Sequence, residues 1–260
     1  SKIIKHQINN RGTNNMGLVK RATGNMYKWV THLWSPISGC PHQCTYCYVR
    51  TFKELSANIK IDKTFPNLGT GRTLFVGYEC DMFAQAVPLE MIDRVMEHLS
   101  KYLHNINVLQ SKNPMRIWNY LRDWQAINAY RLSQMRFIIG TTIETNRAMM
   151  LRKISGAPSP IDRAEGIGRL KGINRHAKTF VTIEPILDFD VDEMHNLIRV
   201  AKPSFVNIGA DSKNHKLNEP TPEKINCLIS LLSNPTDANP IPIMIKLKSN
   251  LSRLMKERKK

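Results

Sequence analysis

The sequence predicts an α/β fold, and within that class a partial (βα)6 TIM-like barrel with parallel strands. Short apolar and β-branched runs recur without polar alternation, which is typical of parallel strands buried on both faces. Helical patterns separate these runs, as in parallel sheets that form an open sheet or a curved partial barrel. The length of 260 residues suits one such domain.

Six strands are predicted in chain order. They are WVTHLW (29–34), TLFVGY (73–78), INVLQ (106–110), FIIGTTI (137–143), TFVTIE (179–184) and SFVNIG (204–209). In both an open sheet and a barrel, functional side chains lie beyond the carboxyl ends of the parallel strands. The residues that follow these six runs are therefore the first places to look for a site.

Helices are predicted between the strands. Segment 88–103 puts its apolar residues on one helical face and has a proline suited to the first turn. Segments 113–127 and 159–173 show similar patterns, and a late helix begins near Thr221. Because no low-complexity linker interrupts the chain, these elements are expected to form a single domain.

Three parts of that domain are expected. Residues 1–28 form a basic N-terminal arm, residues 29–215 form the (βα)6 core, and residues 216–260 form a helical, basic extension of the same domain.

The charge of the chain is strongly positive and unevenly spread. Thirty-eight Lys and Arg against 21 Asp and Glu leave a formal net charge of +17, and no acidic residue precedes Glu54. Such a field attracts polyanions, with nucleic acid the usual partner. A basic surface or tail without a partner is the alternative. A membrane partner is not expected, because no clearly amphipathic helix accompanies the charges and no apolar run is long enough to span a bilayer.

A reducing compartment is expected for this chain. The first residues are polar and rich in Asn, unlike a signal peptide, so a cytoplasmic location is expected. Thiols stay reduced there, and the five cysteines are not expected to form a disulfide framework. A metal-binding or catalytic role is favoured for the cysteines that cluster.

Three of them, Cys40, Cys44 and Cys47, follow the first predicted strand within SGCPHQCTYCYVR (38–50). A structural zinc site usually has four ligands in two separated pairs. His42 is available as a fourth ligand, but it lies inside the same short segment, which wraps one ion poorly. A cuboidal iron–sulfur cluster can be held by three thiolates, which leaves one iron open to another ligand.

The C-x3-C-x2-C spacing, on a loop after the first strand of a βα series, resembles the radical S-adenosylmethionine (SAM) superfamily. The resemblance implies that Cys40, Cys44 and Cys47 hold a 4Fe-4S cluster whose open iron is chelated by SAM. One electron from the cluster would cleave SAM to a 5′-deoxyadenosyl radical that abstracts hydrogen from the substrate. The resemblance also implies a reductase, or a flavodoxin- or ferredoxin-type protein, as electron donor.

The ends of the other strands resemble the SAM-binding segments of that superfamily. VGYECDMF (76–83) looks like the segment that holds the SAM amino group, although it departs from the commonest Gly-Gly-Glu form. TTIETN (141–146) matches the place of the ribose and carboxylate, while TIEPI (182–186) and VNIGA (206–210) would border the adenine. The residues implied to bind SAM are Tyr46, Gly77, Tyr78, Glu79, Thr142, Glu144, Glu184, Asn207 and Gly209.

A narrower resemblance concerns LRKISGAPSPIDRAEGIGRLKG (151–172) followed by FVTIEPIL (180–187). This pattern is similar to the branch that contains spore photoproduct lyase and a phage-borne group. The likeness covers about residues 29–210. It implies a substrate that is a nucleic acid base or a nucleotide, which the enzyme modifies or repairs.

Several of these residues have other interpretations. Glu79, Glu144 and Glu184 at strand ends also suit helix capping or pairing with Arg. Lys112 suits a substrate contact, a SAM carboxylate contact or a solvated surface. Cys80 is a candidate hydrogen donor, since the lyase branch uses a cysteine in that way, but a small apolar core residue is the alternative.

The prediction for function is therefore a radical SAM enzyme acting on a nucleic acid base or nucleotide. A radical SAM enzyme acting on a peptide or small metabolite is the second hypothesis; many peptide-modifying relatives carry a cysteine-rich extension that the two remaining cysteines cannot build. A non-catalytic zinc or nucleic-acid-binding module is the competing class. The histidines other than His42, including His195 and His215, show no ligand spacing and are expected to be structural or exposed.

Overall fold

A computed structural model describes residues 19–234 and 241–255. Ten strands lie in this part of the chain. They are β1 (Lys20–Arg21), β2 (His32–Trp34), β3 (Ile37–Ser38), β4 (Lys60–Ile61), β5 (Thr73–Val76), β6 (Ile106–Gln110), β7 (Arg136–Thr142), β8 (Lys178–Ile183), β9 (Phe205–Ile208) and β10 (Met244–Leu247).

Eight of these strands form one sheet in the order β1-β2-β5-β6-β7-β8-β9-β10, and β3 pairs with β4 in a small second sheet. Every neighbouring pair from β2 to β10 is parallel, whereas β1 is antiparallel to β2. The six predicted strands are all present, as β2 and β5 to β9. The predicted α/β class with a mainly parallel sheet is confirmed.

Seven α-helices accompany the strands, together with 3-10 turns at Tyr48–Thr51 and Ser249–Leu251. They are α1 (Leu89–Leu99), α2 (Pro114–Gln134), α3 (Ala148–Arg152), α4 (Pro160–Leu170), α5 (Val191–Ala201), α6 (Pro222–Ser233) and α7 (Ser252–Met255). Helix α5 was not among the predicted helices. None of the described helices combines the length and hydropathy that a bilayer-spanning segment needs.

Local sequence explains where the helices begin. Helix α4 has a capping box, in which Ser159 and Asp162 satisfy each other's backbone N–H groups, and proline occupies its first turn. The hydroxyl of Thr221 caps α6 in the same manner by accepting from the Lys224 amide. These two starts agree with the sequence prediction.

Both faces of the sheet are apolar. Because successive side chains on a strand point to opposite faces, Val76 packs in the large core on the helix side while Phe75 packs in a separate cluster on the other face. In that second cluster, Phe180 and Phe205 stack with ring centroids 5.3 Å apart. The Phe180 ring fills the space beside Gly140 where any larger residue would place its Cβ. Because the strands are buried on both faces, their sequences are continuous apolar runs.

The two ends of the chain differ from expectation. Residues 20–21 form β1, and Tyr27 is buried and stacks on Trp29, so the described part of the predicted arm is packed on the sheet. Residues 1–18 lie outside the described residues. The extension over 216–260 is not only helical, since β10 adds a seventh parallel strand beside β9. This edge strand is half exposed and contains a lysine, which breaks the apolar pattern expected of a buried strand.

Candidate functional site

A cavity of about 730 Å³ opens at the carboxyl ends of the parallel strands. Its size is within the range of ordinary cofactor and ligand sites. Ten of the predicted site residues line it: Cys40, Cys44, Tyr46, Cys47, Gly77, Tyr78, Glu79, Cys80, Thr142 and Glu184. The other three, Glu144, Asn207 and Gly209, are not among the lining residues of the cavity.

The cysteine loop begins in a backbone conformation that requires glycine. Gly39 has φ of +82°, in the left-handed region, and a Cβ there would overlap the carbonyl oxygen of Asn58. The next residue is anchored by a hydrogen bond from the Cys40 amide to the Ser56 carbonyl, 2.8 Å. The Gln43 side-chain amide donates to the Cys40 carbonyl at 2.7 Å, which closes the first turn of the loop.

The rest of the loop is held from two sides. The Arg50 guanidinium donates to the Cys44 carbonyl at 3.0 Å. Across the fold, the Thr45 amide donates to the Ile154 carbonyl at 2.9 Å, and the Gly156 amide donates to the His42 carbonyl at 2.8 Å. The backbone that carries the three cysteines is thus fixed by contacts outside the motif.

His42 is engaged in a buried contact of its own. Its Nε2 lies 2.9 Å from Asp81, whose carboxylate also accepts from the Ser111 hydroxyl at 2.6 Å and the Lys112 amide at 2.7 Å. Burial raises the pKa of Asp81, but these hydrogen bonds outweigh burial and hold the pKa below its usual value. Asp81 therefore ties the cysteine loop to the end of β6.

The three cysteine thiols are the metal-binding groups that the cavity wall offers. Within residues 19–234 and 241–255, no three His, Cys, Asp or Glu side chains are grouped as ligands of one metal ion, and His42 is held by Asp81 rather than turned to the cysteines. The three thiols nevertheless share one cavity wall. Thiolates bind an iron–sulfur cluster at separate iron atoms, so they need not converge on one point.

Of the three cysteines, Cys44 is buried, and Cys40 and Cys47 are half-buried. Burial raises the pKa of Cys40 to about 11 and also raises the pKa of Cys47 above its usual value. The Cys44 sulfur lies 3.1 Å from the Ser155 hydroxyl. Ligation by metal would displace the thiol protons, as it does at other cysteine sites.

Glu144 is the centre of a buried network behind the cavity wall. Its carboxylate accepts from Arg163 Nη1 at 2.8 Å, from Lys112 Nζ and from the Tyr46 hydroxyl. Burial alone raises the pKa of Glu144, but Lys112 and Arg163 outweigh burial and lower the pKa to about 2. The network fixes Tyr46, which lies between two cysteines, and Lys112, which lines the cavity.

The end of β5 forms another part of the wall. Gly77 has φ of +78°, and a Cβ there would come within 3.0 Å of the Cys80 carbonyl oxygen. Glu79 pairs with Lys53, and the Tyr48 hydroxyl donates to the Tyr78 carbonyl. Burial raises the pKa of Glu79, but hydrogen bonds from Lys53 and Tyr78 lower it overall.

Strands β8 and β9, which lie far from β2 in the order of the sheet, position a second carboxylate, that of Glu184. Glu184 pairs with Lys248 at 2.6 Å and accepts from the amides of Asn25 and Asn250, both at 3.0 Å. Gly209 makes room for this side chain, because a Cβ at 209 would lie 2.8 Å from the Glu184 carboxyl carbon. Gly209 thus acts by positioning Glu184, which does line the cavity.

Nδ2 of Asn207 is buried without a hydrogen-bond partner in the described part of the chain. Asn207 is paired in register with Thr182 across β8 and β9. Buried polar groups in native proteins are rarely left unpaired. Since Thr182 lines the cavity, a polar ligand is a reasonable partner there, and the residues present fit a cofactor such as SAM.

Cys80 also faces this space. It lines the cavity, is 5% exposed, and its thiol donates to the Gly39 carbonyl at 2.7 Å. Burial raises the pKa of Cys80 well above the usual value, so the sulfur keeps its proton. The thiol thus lies beside the cavity, while most of the side chain is packed in the core.

Some functional residues were not predicted. Asp81 and Arg163 hold the site through contacts 39 and 19 positions apart in sequence, which no local pattern shows. His215 was expected to be structural or exposed, but it lines the cavity and bonds to Asp211. Asp211 and His215 lie on a loop, where a spacing of four residues does not by itself indicate a contact.

No family model matches the chain, and no curated protein matches it. Solved structures of spore photoproduct lyase do match. A mutant lyase aligns with a TM-score of 0.51 and 12% identity over 73% of this chain and 58% of its own. A mutant with bound AdoMet (SAM) and dinucleoside spore photoproduct aligns with a TM-score of 0.52 and 12% identity. The alignment covers 80% of this chain and 62% of the mutant lyase chain. The lyase complexed with dinucleoside spore photoproduct aligns with a TM-score of 0.51 and 12% identity. The alignment covers 72% of this chain and 57% of the lyase chain.

The chain thus matches between 57% and 62% of the length of these lyase structures. At 12% identity the likeness concerns the fold. The chain has a fold similar to that of spore photoproduct lyase, a radical SAM enzyme.

Proposed function

We propose that this chain is a radical SAM enzyme that modifies or repairs a nucleic acid base or a nucleotide. Cys40, Cys44 and Cys47 are the proposed ligands of a 4Fe-4S cluster, and the strand-end cavity is the proposed SAM site. The observation that carries the proposal is that all three cysteines and six of the implied SAM-binding residues line one cavity.

Two further observations support it. The fold is similar to that of spore photoproduct lyase, of which one structure holds both AdoMet and a dinucleoside spore photoproduct. The chain also carries a formal net charge of +17, which favours a polyanionic or phosphate-bearing substrate. The proposal includes a cytoplasmic location, and an electron donor that is a reductase or a flavodoxin- or ferredoxin-type protein.

When bound, the cluster supplies one electron and SAM supplies the 5′-deoxyadenosyl group as the hydrogen-abstracting radical. The chain's own residues hold and shield these groups. The loop anchored at Gly39 and Arg50 presents the cysteines, while the Glu144 network keeps Tyr46 and Lys112 in fixed places. The lining residues Glu79, Thr142 and Glu184, with Asn207 behind them, offer polar groups for the amino, ribose and adenine parts of SAM.

Anaerobic reconstitution tests this proposal. We expect the purified chain to turn brown, to bind about four irons, and to release 5′-deoxyadenosine from SAM when a reductant is added. Iron analysis, visible absorption and chromatography of the products measure these three results. A colourless protein that binds zinc and leaves SAM intact would instead support the zinc or nucleic-acid-binding module.

Replacement of Cys80 separates cofactor chemistry from hydrogen return. If Cys80 returns a hydrogen atom to the substrate radical, Cys80→Ala still cleaves SAM but gives altered or incomplete substrate products, which mass spectrometry detects. An unchanged product pattern, with a modest loss of thermal stability, would assign Cys80 to packing. Loss of SAM cleavage itself would place the thiol in the cofactor pocket and contradict the donor role.

A further inference from the structure

The loop after β9 adds a wall of the cavity that the proposed cofactors do not use. Asp211, Ser212, Lys213 and His215 all line the cavity on this loop. None of these residues is among the implied SAM-binding or cluster-binding residues. Their side chains therefore have no role in the function described so far.

The imidazole of His215 is held in one orientation. Its Nδ1 lies 2.7 Å from the Asp211 carboxylate, which also accepts from the His215 backbone amide. The residues on either side, Asn214 and Lys216, have φ of 54° and 56°, in the left-handed region that side-chain-bearing residues rarely adopt. Strained backbone of this kind persists only where neighbouring contacts enforce it, and it clusters at binding sites.

Asp211 is in turn fixed by the surrounding elements. Its backbone amide donates to Glu219 at 3.0 Å, and its carbonyl accepts from Arg253 at 2.8 Å. Arg253 also pairs with Glu219, which closes the network. Because Asp211 occupies Nδ1 of His215, the ring nitrogen left for a molecule in the cavity is Nε2.

The charges around the cavity favour an anion beside this loop. Each of the four lining carboxylates has a cationic or imidazole partner: Glu79 has Lys53, Asp81 has His42, Glu184 has Lys248 and Asp211 has His215. The lining Lys112 pairs with Glu144. Among the described residues, Lys213 is the lining cation without a carboxylate partner. A negatively charged ligand would complete the charge balance.

We propose that Ser212, Lys213 and His215 bind a phosphate group of the substrate. A hydroxyl and an ammonium are donors that proteins use for phosphate oxygens, and Nε2 of His215 is the ring nitrogen open to the same group. The Asn25 amide, 3.5 Å from the Ser212 hydroxyl, borders the same position. The inference deepens the proposed function, since the phosphate belongs either to a free nucleotide as a monoester or to a nucleic acid as a diester.

Binding of charged and uncharged probes to the SAM-loaded, reconstituted chain tests the site. The probes are the dinucleoside monophosphate TpT, its uncharged methylphosphonate analogue, thymidine 5′-monophosphate and thymidine. Calorimetry is expected to show that Lys213→Ala and His215→Ala each weaken binding of a phosphate-bearing probe by roughly tenfold. Binding of the matching uncharged probe is expected to be unchanged. The exposed Lys216 does not line the cavity, so Lys216→Ala is the matched control and is expected to bind all probes like the wild type.

The probes also separate the two sources of phosphate. Preference for TpT over its methylphosphonate analogue supports a diester from nucleic acid, and preference for thymidine 5′-monophosphate over thymidine supports a monoester. Equal weakening of charged and uncharged probes, or full binding by Lys213→Ala, overturns the proposal. Lys213 is exposed, and its side chain makes no hydrogen bond or ion pair with another described residue, so this variant stays informative if His215→Ala unfolds. Failure of the proposed function would appear differently, as a wild-type chain without iron or SAM cleavage.

Discussion

Replacing Cys40, Cys44 or Cys47 by alanine, one at a time, is expected to abolish the brown colour, the bound iron and the cleavage of SAM together. Three thiolates are the smallest protein ligand set that holds a cuboidal cluster and leaves one iron free for another ligand. The three cysteines line one cavity, and other contacts fix the loop, so losing one thiolate leaves two of the three proposed ligands in place. Iron analysis and quantification of 5′-deoxyadenosine measure the loss.

Cys227→Ser is the matched control. Cys227 is exposed on α6 and does not line the cavity, so this variant is expected to keep wild-type iron content and SAM cleavage. Near-normal 5′-deoxyadenosine production by Cys44→Ala would contradict the proposal that Cys44 is a cluster ligand. Retention of iron with loss of cleavage in all three variants would also count against it, because the cysteines would then not be the iron ligands.

The parallel sheet could be predicted because its signal is local. Residues such as Phe75 and Val76 are neighbours in sequence, pack on opposite faces of the sheet and are both apolar. Strand β10 gave no such signal. It lies at the sheet edge beside β9, and its half-exposed residues include Lys246, whose ammonium lies 4.0 Å from the Phe205 ring centroid. That contact exists only after the two strands pair, and a lysine in a short segment does not suggest it.

The candidate site, like the fold, could be predicted from the sequence only in part. The cysteine motif lies within eight positions, so its spacing was visible in the sequence, as was its place after a strand. The groups that hold the motif come from distant segments. Asp81 reaches His42, and Arg163 reaches Glu144, only because the strand ends converge. Glu144 was predicted to touch SAM; the structure instead surrounds its carboxylate with protein donors, and contact with SAM stays a prediction.

Replacing Arg163 by methionine is expected to produce the largest loss of stability of any change in the site. Both Arg163 and Glu144 are fully buried, and the guanidinium also donates to the carbonyls of Thr142 at 2.9 Å and Pro158 at 2.7 Å. Removing one partner of a buried ion pair leaves the other charge poorly compensated, which costs about 3–5 kcal/mol. Chemical denaturation at neutral pH measures the change in the free energy of unfolding.

Arg169→Met, on the same helix α4, is the matched control for Arg163→Met. Arg169 is exposed and lies over the Trp118 ring at 5.2 Å, so its replacement is expected to cost less than about 1 kcal/mol. If both variants lose the same small amount, the buried pair does not stabilise the fold. A double variant, Arg163→Met with Glu144→Gln, is expected to recover part of the loss, because the buried carboxylate that has lost one of its two cationic partners is then neutral.

The pH dependence of Arg163→Met tests whether the ionised carboxylate is responsible. The pKa of Glu144 falls from 4.5 to about 2 on folding, as the cations Lys112 and Arg163 outweigh burial. A carboxylate with a lowered pKa contributes stability that is fully present above pH 4.5 and is lost as the pH falls toward 2. The difference between wild type and Arg163→Met is therefore expected to be largest near neutral pH and to shrink below pH 4.5. A difference that stays constant down to pH 3 would assign the loss to packing of the arginine side chain, and the ion pair would then have no part in holding Tyr46 and Lys112.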